Sequence, residues 1–259
     1  AVHSKSFFGR FVTRFELGRT ARYEGWLQHQ FDHVLVTSPA DRQALAETVS
    51  GAAQTAPITV IPNGVDLAYF RPDAALPRAD NTVVFSGKMS YHANITMALF
   101  LAQEIMPLVW AQRPDVRLTI VGKDPPREIL ALAANDCITV TGTVPSIRPY
   151  LQQAAIAVAP LRYGAGIQNK ILEAMACGAP VITTSQATRA LTAIDGHDLL
   201  VAADARGFAA AILNLLNDPR QRAAIAAAGL AYVRAAHDWD VIAARLEDVY
   251  RETKLRRPA

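Results

Sequence analysis

The sequence predicts an α/β protein built on a doubly wound parallel sheet. Short runs rich in Val and Ile alternate with longer segments in which Ala and Leu recur at helical spacing. This alternation is typical of strands joined by crossover helices. About half of the 259 residues, 51%, are apolar, which is ample for a buried core in a chain of this length.

The first predicted elements form a short α/β passage. Ser38, Pro39 and Asp41 mark a helix start, because Ser at the N-cap, Pro at the first helical position and an acidic residue in the first turn all favour initiation. A proline-containing passage without a clear period then predicts a connector. The expected elements are a helix at 14–31, strands at 32–38 and 58–61, a helix from 39, and a connector at 67–81.

A regular alternation of strand and helix follows the connector. Each run of Val, Ile or Thr is short, as strands are, and is followed by a helical segment that can cross over to a parallel neighbour. The last third is helical. The expected strands are 82–86, 117–121, 138–140, 155–160, 180–184 and 199–202, and the expected helices are 94–112, 126–135, 146–153, 167–177, 205–217, 219–235 and 239–254.

Charge and cysteine content argue against several classes of protein. The net charge of +3 is small, and without an aromatic-and-basic stripe the sequence predicts no nucleic-acid partner. No apolar run of the roughly 18 residues that a membrane span needs is expected. Cys137 and Cys177 lack metal-ligand spacing and have apolar neighbours, which predicts reduced thiols in a cytoplasmic protein.

Lysine is rare, and its positions are informative. The chain has five lysines, of which Lys88, Lys123 and Lys170 lie away from the ends. Each follows a glycine or lies in a glycine-rich stretch, whereas arginine supplies most of the positive charge. We therefore interpret these three ammonium groups as candidates for placed functional positions, with chance placement as the alternative.

The predicted topology indicates where a ligand binds. In open α/β sheets the ligand crevice lies outside the carboxyl ends of the strands. All four loops expected at that edge contain glycine; three contain the central lysines, and the fourth leads into Arg148. These loops are 86–94, 121–126, 141–146 and 160–170.

The segment GAGIQNKILEAMACGAPVITT, residues 164–184, has the pattern of an anion site. Gly164 and Gly166 allow close approach of a ligand to the backbone. The amides of Gly166, Ile167 and Gln168 precede or open a helix, where N–H groups lack intrahelical acceptors and attract phosphate. The sequence therefore predicts a phosphate-binding turn here.

The polar face of the helix that follows suits a nucleoside diphosphate. Asn169, Lys170 and Glu173 fall within about a 100° sector of the helical wheel, opposite an apolar face. An ammonium neutralises phosphate, and a carboxylate one turn on can accept both hydroxyls of a ribose. The alternative is a surface Lys–Glu pair, worth about a few tenths of a kcal/mol.

Other ligand patterns are disfavoured. The stretch nearly matches the dinucleotide pattern G-x-G-x-x-G, but Asn169 replaces the third glycine and the stretch follows a late strand, which argues against a nicotinamide enzyme. The Asp-x-Asp at 238–240 is interpreted as a helix start, with Asp238 as N-cap and Trp239 as packing anchor. His92, His197 and His237 lack metal spacing and are interpreted as surface residues, with His92 bordering the crevice.

Seven ordered motifs carry a resemblance to a known family: IPNGVD, FSGKMSYHAN, LTIVGKDPP, ITVTGTV, RPYLQQAAIAVAPLR, GIQNKILEAMACGAPVITT and HDWD. Over roughly residues 32–252 the chain resembles the donor-binding, Rossmann-like half of a glycosyltransferase family 4 enzyme of the GT-B fold. Within that family it is most similar to the sugar transferases linked to bacterial exopolysaccharide and exosortase gene clusters. The resemblance implies retaining transfer of a sugar from a nucleoside diphosphate donor to an acceptor hydroxyl, without a tightly bound metal.

The resemblance also implies roles for individual residues. Glu173 matches the second glutamate of the family's pair, which binds the donor ribose, and the loop at 166–168 matches the diphosphate loop. Gly87 and Lys88 match a glycine-arginine that faces the diphosphate, and Thr143 and Val144 match the loop whose backbone holds the base. The candidate catalytic residues are Lys88, Lys170 and Glu173; the candidate donor-binding residues are Gly87, Lys123, Thr143, Val144, Gly164, Gly166, Ile167, Gln168, Asn169 and Glu173; no metal ligand is expected.

Two positions depart from the family pattern. Ala165 stands where many members have the first glutamate, which contacts the sugar, so the donor sugar cannot be inferred from it. Asn94 lies near the place of a second phosphate-binding lysine, and Lys88 replaces the usual arginine with loss of bidentate geometry. Lys170 is expected to compensate for the missing lysine.

The domain organisation is also implied by the resemblance. Residues 1–55 are expected to be the last elements of the acceptor-side domain, the rest of which is absent; 56–236 are expected to form the donor-binding domain, and 237–259 a helix crossing back to the first. The expected partners are a nucleotide-sugar donor and a glycan or lipid-linked acceptor. The alternative is a nucleotide-sugar-binding module or fragment that is inactive alone; a hydrolase or epimerase is less favoured because no acid-base pair marks it.

The N-terminal stretch bears on location. It is basic and contains Phe7, Phe8, Phe11 and Phe15, but it lacks the apolar core and cleavage site of a signal peptide. The expected location is cytoplasmic. If these rings are exposed, they would indicate either a severed interface or peripheral contact at the cytoplasmic membrane face.

Overall fold

The computed structural model describes residues 7–48, 55–164 and 166–256, with side-chain environments from Glu16 onward. Ala165 and the side chains of the four N-terminal phenylalanines lie outside the described residues, so the expectations that concern them stay predictions. The chain divides into two compact units, one of residues 1–62 with 243–259 and one of residues 63–242.

The strands agree closely with those expected from the sequence. Those at 82–86, 117–121 and 138–140 have the predicted bounds, and the others are shorter by one or two residues at one or both ends. The strands are β1 Val34–Val36, β2 Ile58–Val60, β3 Thr82–Ser86, β4 Arg117–Val121, β5 Ile138–Val140, β6 Ile156–Ala159, β7 Val181–Thr183 and β8 Leu200–Val201.

The expected helices differ from the observed ones mainly at their ends, and the short helix Ser185–Thr188 was not expected from the sequence. The expected helix at 94–112 starts at His92 and contains a π-helical turn, Leu101–Ile105, and the expected helix at 126–135 ends in a 3-10 turn, Ala131–Ala134. The helices are α1 Phe7–Leu27, α2 Pro39–Ala46, α3 His92–Phe100, α4 Met106–Trp110, α5 Arg127–Leu130, α6 Arg148–Gln153, α7 Asn169–Ala176, α8 Ser185–Thr188, α9 Ala205–Asn217, α10 Pro219–Ala236 and α11 Trp239–Arg256.

The first unit contains a parallel pair of strands, β1 and β2, with Val34 opposite Ile58. Its second helix starts as predicted, because Ser38 accepts a hydrogen bond from the Asp41 amide at 3.1 Å and Pro39 takes the first turn. The buried side chain of Gln28 on the loop after α1 donates to the Leu45 carbonyl and the Thr48 hydroxyl, both at 3.0 Å. These bonds hold the ends of α1 and α2 together.

The second unit is a six-stranded parallel sheet with helices on both faces, in the strand order β5-β4-β3-β6-β7-β8. This confirms the doubly wound α/β fold expected from the sequence. The chain runs outward through β3, β4 and β5, then returns to lay β6 on the other side of β3. The order therefore reverses between β3 and β6, and the crevice at this switch point is where such sheets bind ligands.

The core of the second unit lies between the sheet and its helices. The central strands are buried on both faces, as parallel strands are, and Val83, Val84 and Phe85 of β3 are fully buried. By length and composition, the continuous helix His92–Trp110 is long and apolar enough to cross a membrane, contrary to the expectation that the chain has no such stretch. Its apolar residues pack in this core, including Met97, Leu101 and Ile105, so packing against the sheet accounts for its composition.

The connector before β3 is held by one partly buried arginine. The Arg78 guanidinium donates to the carbonyls of Leu151, at 3.1 Å, and Ala154 at the end of α6, and to the Cys177 carbonyl, at 2.9 Å, at the end of α7. Burial lowers the pKa of Arg78 and raises the pKa of the Cys177 thiol to about 12. Cys137 and Cys177 are both free thiols.

We predict that Arg78→Met destabilises the fold by about 3 kcal/mol, because three helix-end carbonyls lose their donor at once. The matched control is Arg220→Met on the exposed start of α10, where a change within about 0.5 kcal/mol is expected. Urea unfolding followed by circular dichroism measures both. Equal midpoints for the two variants would show that the connector does not depend on Arg78.

Candidate functional site

The carboxyl edge of the sheet holds a cavity of about 320 Å³ at the predicted place, within the size range of small-ligand sites. Loops after β3, β4 and β5 contribute to it together with α7. It brings together six of the predicted site residues from four separate segments. The lining residues are Gly87, Lys88, Gly122, Lys123, Thr143, Val144, Ile147 and Glu173.

Two glycines let the loops after β3 and β4 approach each other. A Cβ placed on Gly122 would lie 1.8 Å from the Gly87 carbonyl oxygen, so a larger residue there would force the loops apart. Backbone bonds join the loops, from the Gly87 amide to Val121 at 3.0 Å and from the Met89 amide to Lys123 at 2.8 Å. Lys88 and Lys123 thus reach one cavity from adjacent strands.

Lys170 lies in the first turn of α7, next to this cavity. Its Nζ donates to Asn94 Oδ1 on α3 and lies 4.6 Å from the centre of the Phe85 ring. Burial lowers the pKa of Lys170 to about 8, an effect that the Glu173 carboxylate partly opposes. The ammonium is therefore mostly charged at neutral pH but releases its proton readily.

Glu173 lies one turn after Asn169 on α7, and its carboxylate faces the cavity. Burial raises the pKa of Glu173, and the nearby Lys170 opposes the shift. A partly desolvated carboxylate is a strong hydrogen-bond acceptor. It can therefore accept from hydroxyl groups of a ligand that fills the cavity.

The remaining predicted residues form the turn before α7 and the first residue of that helix. Gly164, Gly166, Ile167, Gln168 and Asn169 are not among the cavity's lining residues. The helix begins at Asn169, two residues later than predicted, with Gln168 in extended backbone conformation before it. The first-turn amides of α7 still open toward the carboxyl edge of the sheet, where N–H groups attract anions.

Side chains that sequence reasoning did not assign fasten this turn on both sides. The Tyr163 hydroxyl hydrogen-bonds His92 Nδ1 at 3.0 Å and Thr96 Oγ1 at 2.9 Å, and its ring stacks on that of His92 at 5.4 Å. From the other side, Gln186 Nε2 donates to the Gly164 carbonyl at 2.8 Å. These partners lie far apart in sequence, so the only local signal for them is the position of Tyr163 beside Gly164.

One histidine interpretation was wrong. His237 was expected on the surface but is 3% exposed, because its ring bonds the Asn63 carbonyl and the Tyr232 hydroxyl, at 2.8 and 2.9 Å. His197 is exposed, as expected, and lies 2.8 Å from Asp198.

The Asp-x-Asp segment starts a helix, as interpreted from the sequence. Asp238 Oδ1 accepts from the Asp240 amide at 3.1 Å. Trp239 packs only in part, because its ring leaves no room for a Cβ on Gly64, the nearest ring atom lying 2.5 Å away, while the residue stays 52% exposed. Within residues 7–48, 55–164 and 166–256, no three His, Cys, Asp or Glu side chains are grouped to hold a metal ion. The expectation of metal-independent chemistry stays a prediction.

A larger cavity of about 650 Å³ lies beyond the glycine turn, beside Arg162, Gln186 and Arg206. Its volume exceeds that of the first cavity, but no predicted site residue lines it. Its charged groups are mixed, since Glu104 and Asp204 accompany the two arginines. The smaller cavity has Lys88 and Lys123 on its wall and Lys170 beside it, and Glu173 is the one carboxylate among its described lining residues. This excess of positive charge favours an anionic ligand.

Comparison with known proteins identifies the family. Residues 80–218 match the family described as "Glycosyl transferases group 1". The phosphatidyl-myo-inositol mannosyltransferase of Mycolicibacterium smegmatis is 32% identical over 200 residues, which cover 73% of this chain and 50% of that protein. The chain spans about half the length of the curated relatives it matches.

Solved structures show the same fold. Sucrose-phosphate synthase of Thermosynechococcus elongatus aligns with a TM-score of 0.74 at 25% identity, covering 92% of this chain and 62% of that one. HepE of Anabaena, in complex with UDP and glucose, aligns with a TM-score of 0.71 at 18% identity, covering 90% and 67%. These neighbours are GT-B glycosyltransferases, so the fold expected from the resemblance is confirmed. Because the family match covers more than half of the chain, the protein belongs to the group 1 glycosyltransferases.

Proposed function

We propose that this chain supplies the donor site of a retaining glycosyltransferase of family 4, which moves a sugar from a nucleoside diphosphate sugar to an acceptor hydroxyl. The observation that carries the proposal is the convergence of Lys88, Lys123, Lys170 and Glu173 at the switch point of the sheet. Three cations suit a diphosphate, and one carboxylate suits a ribose.

The diphosphate lies between the turn after β3 and the start of α7. Lys170 and Lys88 face it from α7 and the β3 loop, and the first amides of α7 add fixed dipoles that favour negative charge. As the bond from sugar to phosphate breaks, negative charge grows on the leaving diphosphate while the sugar carbon gains oxocarbenium character. Preorganised cations and amides stabilise this charge without reorganising at the moment of reaction.

The nucleoside lies along the cavity toward the loop after β5. The Glu173 carboxylate accepts the two ribose hydroxyls, and the backbone near Thr143 and Val144 holds the base. Both segments line the same cavity, so one ligand can contact them together.

The acceptor, the pathway and the location belong to the proposal as well. We propose a glycan or lipid-linked acceptor in bacterial polysaccharide or glycoconjugate biosynthesis, at the cytoplasmic side of the membrane and without a tightly bound metal. The name of the mycobacterial relative, a phosphatidyl-myo-inositol mannosyltransferase, supports a lipid-linked acceptor. The complex of HepE with UDP and glucose supports a nucleotide-sugar donor.

A second candidate is a nucleotide-sugar-binding module that transfers nothing alone. It is favoured by the assignments at the cavity, because the assigned residues that line it all belong to the donor and none is assigned to an acceptor. Two measurements on the same preparation separate the transferase from the binding module: calorimetry of donor binding, and an assay for release of the sugar from the nucleoside diphosphate. Binding with sugar release supports the enzyme, and binding without release supports the module.

We predict that Glu173→Ala weakens nucleotide binding about 50-fold, because two ribose hydroxyls lose a charged acceptor. Titration calorimetry with uridine, guanosine and adenosine diphosphates and their sugars measures this and identifies the base. The matched control is Glu128→Ala, an exposed carboxylate on α5, for which affinity is expected to stay within about twofold. Equal affinities in the two variants would contradict the ribose assignment.

We predict that donor affinity falls about tenfold between about pH 7 and about pH 9.5, because the Lys170 ammonium loses its proton near its pKa of about 8. Folding stability follows the opposite trend: the unfolded chain holds this proton up to about 10.5, so the linked contribution of Lys170 to stability rises from about pH 8 to that value.

The measurement is calorimetry with a nucleotide sugar, whose diphosphate has no proton to lose in this range. Lys170→Arg, which stays charged, is expected to bind with a flat pH profile. Lys170→Met is expected to bind weakly at every pH and to slow sugar release further. A wild-type profile that matches the arginine variant would show that Lys170 does not contact the donor.

A further inference from the structure

Asn94 has both ends of its side-chain amide engaged. It lies on α3 and is 7% exposed. Its Nδ2 donates to the Lys88 carbonyl at 2.8 Å, and its Oδ1 accepts from the Lys170 ammonium on α7. One buried amide therefore joins the β3 loop to the helix on the other side of the switch point.

The space around this amide is filled. A Cβ on Gly87 would lie 2.7 Å from Asn94 Nδ2 and 3.1 Å from Lys170 Nζ. The Phe85 ring centre lies 4.6 Å from the same ammonium, a distance at which the ring face attracts a cation. Lys170, whose long side chain could adopt many rotamers in water, is thus held in one position.

We propose that Asn94 is a positioning residue of the donor site, holding the Lys170 ammonium toward the diphosphate while fixing the peptide that presents Lys88. The inference rests on the proposed function for the identity of the ligand, but the hold on Lys170 is a property of the protein alone. One ammonium hydrogen goes to Asn94, and the other two remain for phosphate oxygens.

The arrangement has a physical rationale. A lysine side chain moved out of water loses charge unless an acceptor stabilises the ammonium. An amide oxygen does this without adding negative charge, so the cation keeps its attraction for an anionic ligand. The charged residues that line the adjacent cavity are Lys88, Lys123 and Glu173. A carboxylate at position 94 would neutralise part of the positive field of the lysines.

The first experiment titrates Lys170 directly in the full chain without ligand. The five lysines give few ε-carbon signals in carbon-13 NMR, and Lys170→Arg assigns the one that matters. Asn94→Asp is expected to raise the Lys170 midpoint by about one pH unit, and Asn94→Ala to lower it. The matched control is Asn81→Ala, which removes a similar bond to a backbone carbonyl, that of Asp115 at 2.8 Å, and is expected to leave the midpoint unchanged.

The second experiment measures affinity for the nucleotide sugar by calorimetry. Asn94→Ala and Lys170→Asn are each expected to weaken binding about tenfold. The exchange variant Asn94→Lys with Lys170→Asn places the ammonium on the opposite side of the same contact, and it is expected to return to within about threefold of wild type.

The outcomes separate the positioning role of Asn94 from the proposed function of the site. A Lys170 midpoint that is the same in wild type, Asn94→Asp and Asn94→Ala overturns the positioning role, because a residue that only stabilises the fold would not move it selectively. An exchange variant as weak as Lys170→Asn also overturns that role. A wild-type chain that binds none of the nucleotides overturns the proposed function, and the NMR titration still decides whether Asn94 holds Lys170.

Discussion

The reversal of strand order between β3 and β6 is the constraint on which the site depends. Connections on the two sides of this point leave in opposite directions, so the loop after β3 and the turn before α7 diverge and open a crevice. The loop after β4 can join them only because Gly122 admits the Gly87 carbonyl at a distance that no Cβ would allow. Without that approach Lys123 would not share a cavity with Lys88.

Burying part of a cation costs free energy unless an acceptor or a negative charge lies nearby to stabilise it. The Asn94 amide, the Phe85 ring and the Glu173 carboxylate together offset the loss of water around Lys170. The offset is incomplete, which is why the pKa of Lys170 falls to about 8. An incoming diphosphate would complete it, so the free site is arranged to favour an anion.

Much of the fold and of the candidate site could be predicted from the sequence, because strand patterns and glycine-lysine pairs are features of short segments. The short β-branched runs predicted β3, β4 and β5 with their observed bounds, and Gly-Lys after successive strands placed cations at one edge. The Lys170–Asn94 bond joins residues 76 apart, and the burial of His237 depends on Asn63 and Tyr232, so no local pattern could reveal either. The late start of α7 reflects the extended Gln168, where the glycine turn overrides helix propensity.

The most direct test of the central claim is a crystal structure of this chain with a nucleoside diphosphate. We expect the diphosphate to lie between the Gly87–Lys88 turn and the start of α7, with an oxygen about 3 Å from Lys170 Nζ and the ribose on Glu173. A nucleotide bound instead in the larger cavity beside Arg162 and Arg206, with the cavity at the switch point empty, would contradict it.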